Sequence, residues 1–349
     1  MANPTSGYGS YRGRGHPVFR LLLLLLVIVI ALAGVSIFLL QPYIIYSADG
    51  VQINLPFLSK DPIVDEPIPA PQLVVETPEP TPTPTLNPLA QAQSIDRYLP
   101  VTITPESGLP SLTAGIGYLL SIKGEQGALP YVSAVEKAVS MKASGSDEGV
   151  NAAIEVLTGG DGHTVGVMSC FKDQAAGDGD YAFCILSNSG YRWTDDTEVR
   201  WISPTKAAVR QYVLDLALEA ADFGFDEILL TYAHYPASGT FSYIKNGADY
   251  DQKQLGAVVD GFYQEVSSAF SEQDCLISVY ACDEFLQNPE GFRSGQSAEN
   301  MLANFDRIWY NEALASFALE RVFGGDAALM AERGVAIDTA TPEFAIYQS

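Results

Sequence analysis

The sequence has little of what several large classes of enzyme need. Only three histidines occur, and H-E-x-x-H, G-x-S-x-G, P-loop and dinucleotide-binding motifs are all missing. A histidine-based metal site, an α/β-hydrolase nucleophile and nucleotide-phosphate chemistry therefore lack their usual residues. We expect no metal and no cofactor.

Basic residues are also scarce. The chain has 19 Lys and Arg against 42 Asp and Glu, a formal net charge of −23. The first twenty residues hold three arginines and no acid, so they carry +3 and the rest of the chain carries −26. Such a body repels phosphate backbones and offers no basic stripe, which excludes nucleic acid as an expected partner.

One long apolar run is present, Leu21–Leu40, with twenty residues and no charge. At 1.5 Å per residue it matches the thickness of a bilayer core, about 30 Å. The arginines precede it, so the positive-inside rule predicts a single-pass helix in the cell membrane with a cytoplasmic N-terminus and an extracellular C-terminal domain. A cleaved signal peptide is the alternative, because Ala31-Leu32-Ala33 resembles a cleavage site.

The composition divides the chain into four parts. Residues 1–20 form a cytoplasmic tail, and residues 21–40 form the transmembrane helix that binds the lipid bilayer. Residues 41–93 form an extracellular Pro-rich linker, since proline fixes the backbone in an extended, semi-rigid form. Residues 94–349 form one folded domain, and their number is usual for a (β/α)8 barrel.

Apolar runs alternate with helical patterns along this domain, which predicts an α/β fold of the (β/α)8 TIM-barrel type. Since about seven strands can be counted, an incomplete barrel is the alternative. Two helices are expected, Thr205–Phe223 with Ser203 as N-cap and Gly224 as the residue after its end, and Leu255–Phe270. The strands are expected at Leu99–Ile103, Gly117–Lys123, Thr164–Phe171, Glu227–Ala233, Cys275–Ala281, Phe305–Trp309 and Val335–Asp338.

The four cysteines all fall in the outer domain. No C-x-x-C pair occurs, so a zinc ribbon is unsupported. Buried free thiols are the simpler expectation. A Cys170–Cys282 bridge is the alternative, because both residues stand near the ends of predicted strands.

Scattered motifs in the domain resemble those of a bacterial family of glycoside hydrolase-like domains of unknown function, related to the amylase-like TIM barrels. Their order and spacing carry the resemblance, which extends over about residues 115–310. The matching positions are Lys123 with Gly127 and Tyr131, Phe171-Lys172-Asp173, Gly190 with Trp193, Trp201-Ile202-Ser203-Pro204, Tyr212, Ala217 and Glu219, Gly224–Ile228, and Gly295-Gln296.

The resemblance implies a carbohydrate-cleaving barrel with its chemistry at the carboxyl ends of the strands. One family strand ends in F-D-Y-x-R-F-P, and its Asp and Arg are Thr231 and His234 here. Threonine has no charge and cannot replace a catalytic carboxylate. Asp226 and Glu227 precede the same strand, so we expect them at the opposite face as stabilising residues.

The carboxyl groups expected at strand ends are Asp173, Asp283 and Glu284, which are the candidates for catalysis. Each has a simpler interpretation. Asp173 could cap a helix or bind backbone amides, and Asp283-Glu284 could be acids at a helix N-terminus, which the helix dipole favours.

The candidates for substrate binding are Lys123, Trp193, Trp201, Tyr232 and His234. Aromatic faces stack on pyranose rings, although core packing is the commoner role of such residues. The sequence thus predicts a membrane-anchored glycoside hydrolase-like protein that acts on or binds polysaccharide or cell-wall glycan. The alternative is a non-catalytic scaffold of the envelope that binds glycan or protein.

Overall fold

The computed structural model describes residues 44–47, 50–53, 88–103, 111–288 and 293–338. The cytoplasmic tail and the predicted transmembrane helix Leu21–Leu40 lie outside these residues, as does most of the predicted linker. Among the described residues, no helix is both long enough and apolar enough to cross a membrane.

The chain divides into two units, residues 1–79 and residues 80–349. In the first unit, strands β1 (Ile44–Ser47) and β2 (Gly50–Ile53) form an antiparallel pair in which Ile44 is opposite Ile53. This pair falls within the range predicted as linker.

The second unit contains one parallel sheet of seven strands, whose spatial order repeats their order in the chain. All seven predicted strands are confirmed, each within a few residues. They are β3 (Arg97–Val101), β4 (Ile116–Lys123), β5 (His163–Ser169), β6 (Glu227–Thr231), β7 (Leu276–Tyr280), β8 (Arg307–Asn311) and β9 (Gly334–Ile337).

Ten helices of the described residues accompany the strands, mostly in alternation with them. They are α1 (Pro88–Gln93), α2 (Glu136–Ser140), α3 (Glu148–Thr158), α4 (Gln174–Gly179), α5 (Ala207–Asp222), α6 (Leu255–Phe270), α7 (Asp283–Gln287), α8 (Ala298–Asn304), α9 (Ala315–Arg321) and α10 (Ala327–Arg333).

The sheet curls into a nearly closed barrel. The guanidinium of Arg307, on the sixth strand β8, donates to the hydroxyl of Tyr98, on the first strand β3, across the interior at 2.7 Å. The side-chain amide of Gln93, just before β3, donates to the carbonyl of Glu332, just before β9, at 3.1 Å, so the beginning and the end of the sheet lie close together. Among the described residues the fold is therefore TIM-like with seven strands, which agrees with the incomplete barrel rather than with the full eightfold one.

Side chains alternate between two cores, as the period of a strand requires. A small cluster fills the barrel interior and includes Leu119, Val167, Leu229 and Trp309. A larger cluster lies between the strands and the surrounding helices, and α6 contributes Val259, Phe262 and Val266 to it. This second core holds the helices against the outside of the barrel. The loops after the strands can form a site.

A buried ionic cluster closes the amino-terminal end of the barrel. Both Glu227 oxygens are occupied: Oε2 lies 2.8 Å from Arg307 Nη1 and 2.9 Å from His163 Nε2, while Oε1 accepts from Ser278 and Trp309. Burial alone would raise the pKa of Glu227, but Arg307 and His163 lower it to about 2. Glu227 lies at the bottom face, as predicted, and acts there as a stabilising carboxylate.

Helix α5 differs from the prediction at its N-cap and agrees with it at its C-terminal end. The N-cap is Lys206, not the predicted Ser203. The Ser203 hydroxyl accepts from the Thr205 amide at 3.3 Å and donates to the Asp249 carbonyl at 2.6 Å, so it belongs to the turn before the helix. Gly224 follows the helix at φ +87°, the left-handed conformation that glycine adopts without strain.

All four cysteines are free thiols, and Cys170, Cys184 and Cys282 are buried. The simpler expectation is confirmed, and the alternative Cys170–Cys282 bridge is wrong. Burial raises the pKa of both of these thiols to about 12, so they are packed in the core as small apolar groups.

Candidate functional site

A cleft of about 230 Å³ opens at the carboxyl ends of β5, β6 and β7. This is the face on which TIM-barrel enzymes carry their active sites, because the loops after all the strands converge there. Five of the predicted site residues line it, namely Trp201, Tyr232, His234, Asp283 and Glu284. Asp195 and Lys172 also line it.

Strand β6 ends at the floor of the cleft, and the chain turns sharply after it. Thr231 is its last residue, and Tyr232 follows at φ +48°, a left-handed conformation that is uncommon for an aromatic residue. The turn brings His234 back into the cleft wall, where it is 3% exposed. The two positions at which the family motif carries Asp and Arg are thus both at the cleft.

Neither of these two residues supplies a charge. The Thr231 hydroxyl donates to the Met168 carbonyl at 3.2 Å. His234 Nδ1 lies 2.6 Å from the Tyr235 carbonyl oxygen and must carry the ring proton, since a carbonyl only accepts. Burial lowers the pKa of His234 to about 4, so the imidazole is neutral at physiological pH.

Two carboxylates on loops before and after β5 hold Lys172 in the cleft wall. Its ammonium lies 2.6 Å from Glu125 Oε2 and 3.1 Å from Asp195 Oδ2, and 5.0 Å from the centre of the Tyr232 ring. The Trp201 indole donates to the same Asp195 oxygen at 3.0 Å. Lys172 is therefore a buried and fully partnered cation.

Asp195 is held in its ionised form. Burial raises its pKa, but hydrogen bonds from Trp201 and Thr197, together with Lys172, outweigh burial and lower the pKa below its ordinary value. Its other oxygen accepts from the Thr197 amide and hydroxyl and from the Val199 amide. With five such contacts, this carboxylate has little capacity left for a ligand.

Asp283 and Glu284 open helix α7, directly after β7, and both face the cleft. Asp283 accepts one hydrogen bond at each oxygen, from the Tyr280 hydroxyl at 3.0 Å and from the Asn311 amide at 3.1 Å. Their simpler sequence interpretation, acids at a helix N-terminus, is confirmed, and their role in catalysis stays a prediction.

Glu284 differs from its neighbour in its electrostatic setting. Burial raises the pKa of its carboxyl group, and Arg293 offsets this only in part. Within the described part of the chain, Glu284 Oε2 has no hydrogen-bond partner. The cleft therefore contains one carboxyl that favours its protonated form next to one that accepts two hydrogen bonds.

Asp173 and Lys123 do not line the cleft. They form a buried ion pair, with Lys123 Nζ 2.8 Å from Asp173 Oδ2, and both side chains are at most 1% exposed. Asp173 also caps α4, since its Oδ1 accepts from the Ala176 amide at 2.8 Å. A Cβ at Gly127 would lie 1.9 Å from that oxygen, which explains the glycine four residues after Lys123.

Trp193 also lies away from the cleft lining. It is 4% exposed, stacks on Phe241 at an interplanar angle of 28°, and donates from its indole to the Thr240 carbonyl at 3.4 Å. It therefore fastens the loop after β5 to the loop after β6.

Sequence reasoning missed Asp195 and the partners of Asp283, Tyr280 and Asn311. Asp195, Asp196 and Glu198 all lie between Trp193 and Trp201, so the sequence alone does not single out Asp195. No local pattern connects Asp283 with Asn311, because they belong to different strand ends.

Among proteins of curated function, none matches the chain. A hypothetical protein from Ruminiclostridium thermocellum is 21% identical, with 47% of this chain and 82% of that one covered and a TM-score of 0.41. The PgaB (BpsB) glycoside hydrolase domain from Bordetella bronchiseptica is 12% identical, with 62% and 72% covered and a TM-score of 0.44.

A third solved structure, Ega3 from Aspergillus fumigatus in complex with galactosamine, is 11% identical, with 70% and 75% covered and a TM-score of 0.38. The family comparison gives the firmer result. The matched residues are 116–309, from the start of β4 into β8, and they include every residue that lines the cleft. Since this match covers more than half of the chain, the protein belongs to the family described as "Putative glycosyl hydrolase domain".

Proposed function

We propose that the cleft binds a polysaccharide and that the protein hydrolyses a glycosidic bond there. The observation that carries the proposal is the pairing of Glu284 with Asp283 in one cleft at the carboxyl end of the barrel. Glycoside hydrolysis needs one carboxyl that can give a proton and one carboxylate that can act as nucleophile or base.

Glu284 has the properties of the acid. Burial raises the pKa of its carboxyl group, which is the direction that a general acid requires, and its Oε2 is buried with no hydrogen-bond partner among the described residues. Asp283 is the better carboxylate, because each of its oxygens accepts a single hydrogen bond and keeps a lone pair. Asp195 instead holds Lys172 and the Trp201 wall in place.

The first test is release of reducing ends from a panel of polysaccharides by the full-length protein. We expect Glu284→Gln to lower the rate about 100-fold or more, because general acid catalysis contributes about that much. Glu272→Gln, an exposed change before β7 at the opposite end of the barrel, is the matched control and should leave the rate unchanged. No release by folded protein from any polysaccharide would refute hydrolysis.

A non-catalytic glycan-binding protein is the second candidate, and Thr231 and His234 favour it. Where the family motif has a charged pair, this chain has a hydroxyl and a neutral imidazole. This candidate predicts retention on insoluble polysaccharide without turnover. It also predicts that Thr231→Asp with His234→Arg, which restores the family pair, creates hydrolysis that the natural chain lacks.

We also propose that the protein acts at the outer face of the cell membrane, with Leu21–Leu40 as its anchor. The run of twenty uncharged residues after three arginines supports this placement. Protease added to intact cells should remove the barrel and leave a membrane-bound fragment. Release of the protein into the medium with a new N-terminus near Ala33 would instead indicate a cleaved signal peptide.

A further inference from the structure

Three donor groups of the cleft wall are already engaged with the protein itself. The Thr231 hydroxyl donates to the Met168 carbonyl, the Tyr280 hydroxyl to Asp283, and the Trp201 indole to Asp195. Each of these groups has a single proton to give. A ligand in the cleft therefore finds them as acceptors or not at all.

Lys172, the cation that lines the cleft, is also paired with groups of the protein itself. Lys172 is held between Glu125 and Asp195 and lies against the Tyr232 ring, with its side chain 2% exposed. Its charge is neutralised twice over before any ligand arrives. It offers no site for an anionic sugar.

His234 adds a neutral acceptor. Since Nδ1 gives its proton to the Tyr235 carbonyl, Nε2 of the neutral ring has a lone pair and can only accept a hydrogen bond. The side chain is 3% exposed and lines the cleft. The family Arg would present donors at this position, so the replacement reverses the polarity of the wall.

The charged groups around the cleft also disfavour an anionic ligand. Glu125, Asp195, Asp283 and Glu284 lie in or against the cleft, and the cations there are Lys172 and Arg293. Four carboxyl groups against two cations leave two negative charges when all are ionised, and one negative charge when Glu284 is protonated, as its proposed role of acid requires. The chain as a whole carries −23.

We propose that the ligand is a polymer of amino sugars with free, protonated amino groups. This rests on the proposed carbohydrate function and names its substrate class. An ammonium group gives three donors and a positive charge, which an acceptor-rich, acidic wall satisfies. An N-acetyl group is neutral and adds a carbonyl that needs a donor, and a plain hydroxyl adds no charge.

The test compares three β-1,4-linked tetrasaccharides that differ only at carbon 2 of each sugar. They are the tetramers of glucosamine, N-acetylglucosamine and glucose. Calorimetry with the full-length protein is carried out where the sugar amines are protonated and above pH 4, so that His234 stays neutral. We expect the glucosamine tetramer to bind at least about tenfold tighter than either neutral tetramer, the usual gain from a charged hydrogen bond.

Variants then assign the preference to the cleft. Asp283→Asn should remove most of the tenfold difference in affinity between the glucosamine tetramer and the neutral tetramers. His234→Arg should reduce the same difference, because it replaces an acceptor with a cation. Glu272→Gln removes one exposed charge elsewhere and should leave the difference intact. Circular dichroism checks that each variant is folded, and Asp283→Asn, at a half-exposed position, is the one on which the test depends.

The outcomes separate this inference from the proposed function. Equal or tighter binding of a neutral tetramer would overturn the amino-sugar inference and leave carbohydrate binding in place. If the difference in affinity persists in folded Asp283→Asn, the glucosamine tetramer is attracted to the acidic surface in general. That result would also overturn the amino-sugar inference. Failure of all three tetramers to bind, together with failure of the polysaccharide panel, would refute the proposed function itself.

Discussion

The Glu227→Gln substitution tests whether the ionic cluster at the base of the barrel stabilises the fold. The change keeps the size of the side chain but removes its charge, which leaves Arg307 buried and without its carboxylate. Glu227 has an ordinary pKa of 4.5 and a folded pKa of about 2, a difference that corresponds to about 3 kcal/mol. Breaking a buried ion pair typically costs about 3 to 5 kcal/mol, which agrees in size.

Urea unfolding followed by tryptophan fluorescence measures this loss, since Trp309 is part of the cluster. We expect the variant to lose about 3 kcal/mol at pH 7. The folded pKa lies below the unfolded one, so the contribution is present above about pH 4.5 and is lost as the pH falls towards 2. The difference between the two proteins should shrink over the same range.

A loss below about 1 kcal/mol at pH 7 would refute the reasoning, since it would mean that the carboxylate barely offsets its own desolvation. A difference that does not change between pH 4.5 and pH 2 would show that shape, not charge, explains the loss. Exposed Glu272→Gln is the control and should change the free energy of unfolding by less than about 0.5 kcal/mol.

Two further predictions concern the cleft and its support. Gly127→Ala should lower the free energy of unfolding by about 3 kcal/mol, because φ is +76° and the new Cβ would meet Asp173; Gly115→Ala, at φ +79° in open space, should cost only about 1 kcal/mol in the same urea titration. Arg293→Gln should shift the alkaline limb of hydrolysis to higher pH, because Arg293 lowers the pKa of Glu284. An unchanged limb would show that Glu284 is not the acid.

The strands were predictable because the signal for them is local. A fully buried parallel strand is a short apolar run, and all seven runs became strands within a few residues. The cap at Ser203 was not predictable in the same way. Its hydroxyl accepts from the Thr205 amide in a turn and donates to the Asp249 carbonyl, 46 residues away, and the helix begins only after Lys206.

The site was predictable only where its residues stand at strand ends. Asp283, Glu284 and His234 follow strands directly, so topology alone brought them to one face. Asp195 lies on a long loop, and its place beside Lys172 depends on how that loop folds back. Asp173 also follows a strand, but its side chain forms a buried ion pair with Lys123 and does not line the cleft. The direction of a side chain cannot be read from a single sequence.

The order of the strands in the sheet bears on how the chain is made. Since β3 to β9 pair strictly in the order in which they are synthesised, each strand leaving the ribosome finds its neighbour already present. Partial products can therefore build the sheet outward from β3 without waiting for distant segments, which keeps loop-closure costs low. The contacts of Tyr98 with Arg307 and of Gln93 with Glu332 join the beginning of the sheet to its last part, and they form late in synthesis, when the sheet is almost complete.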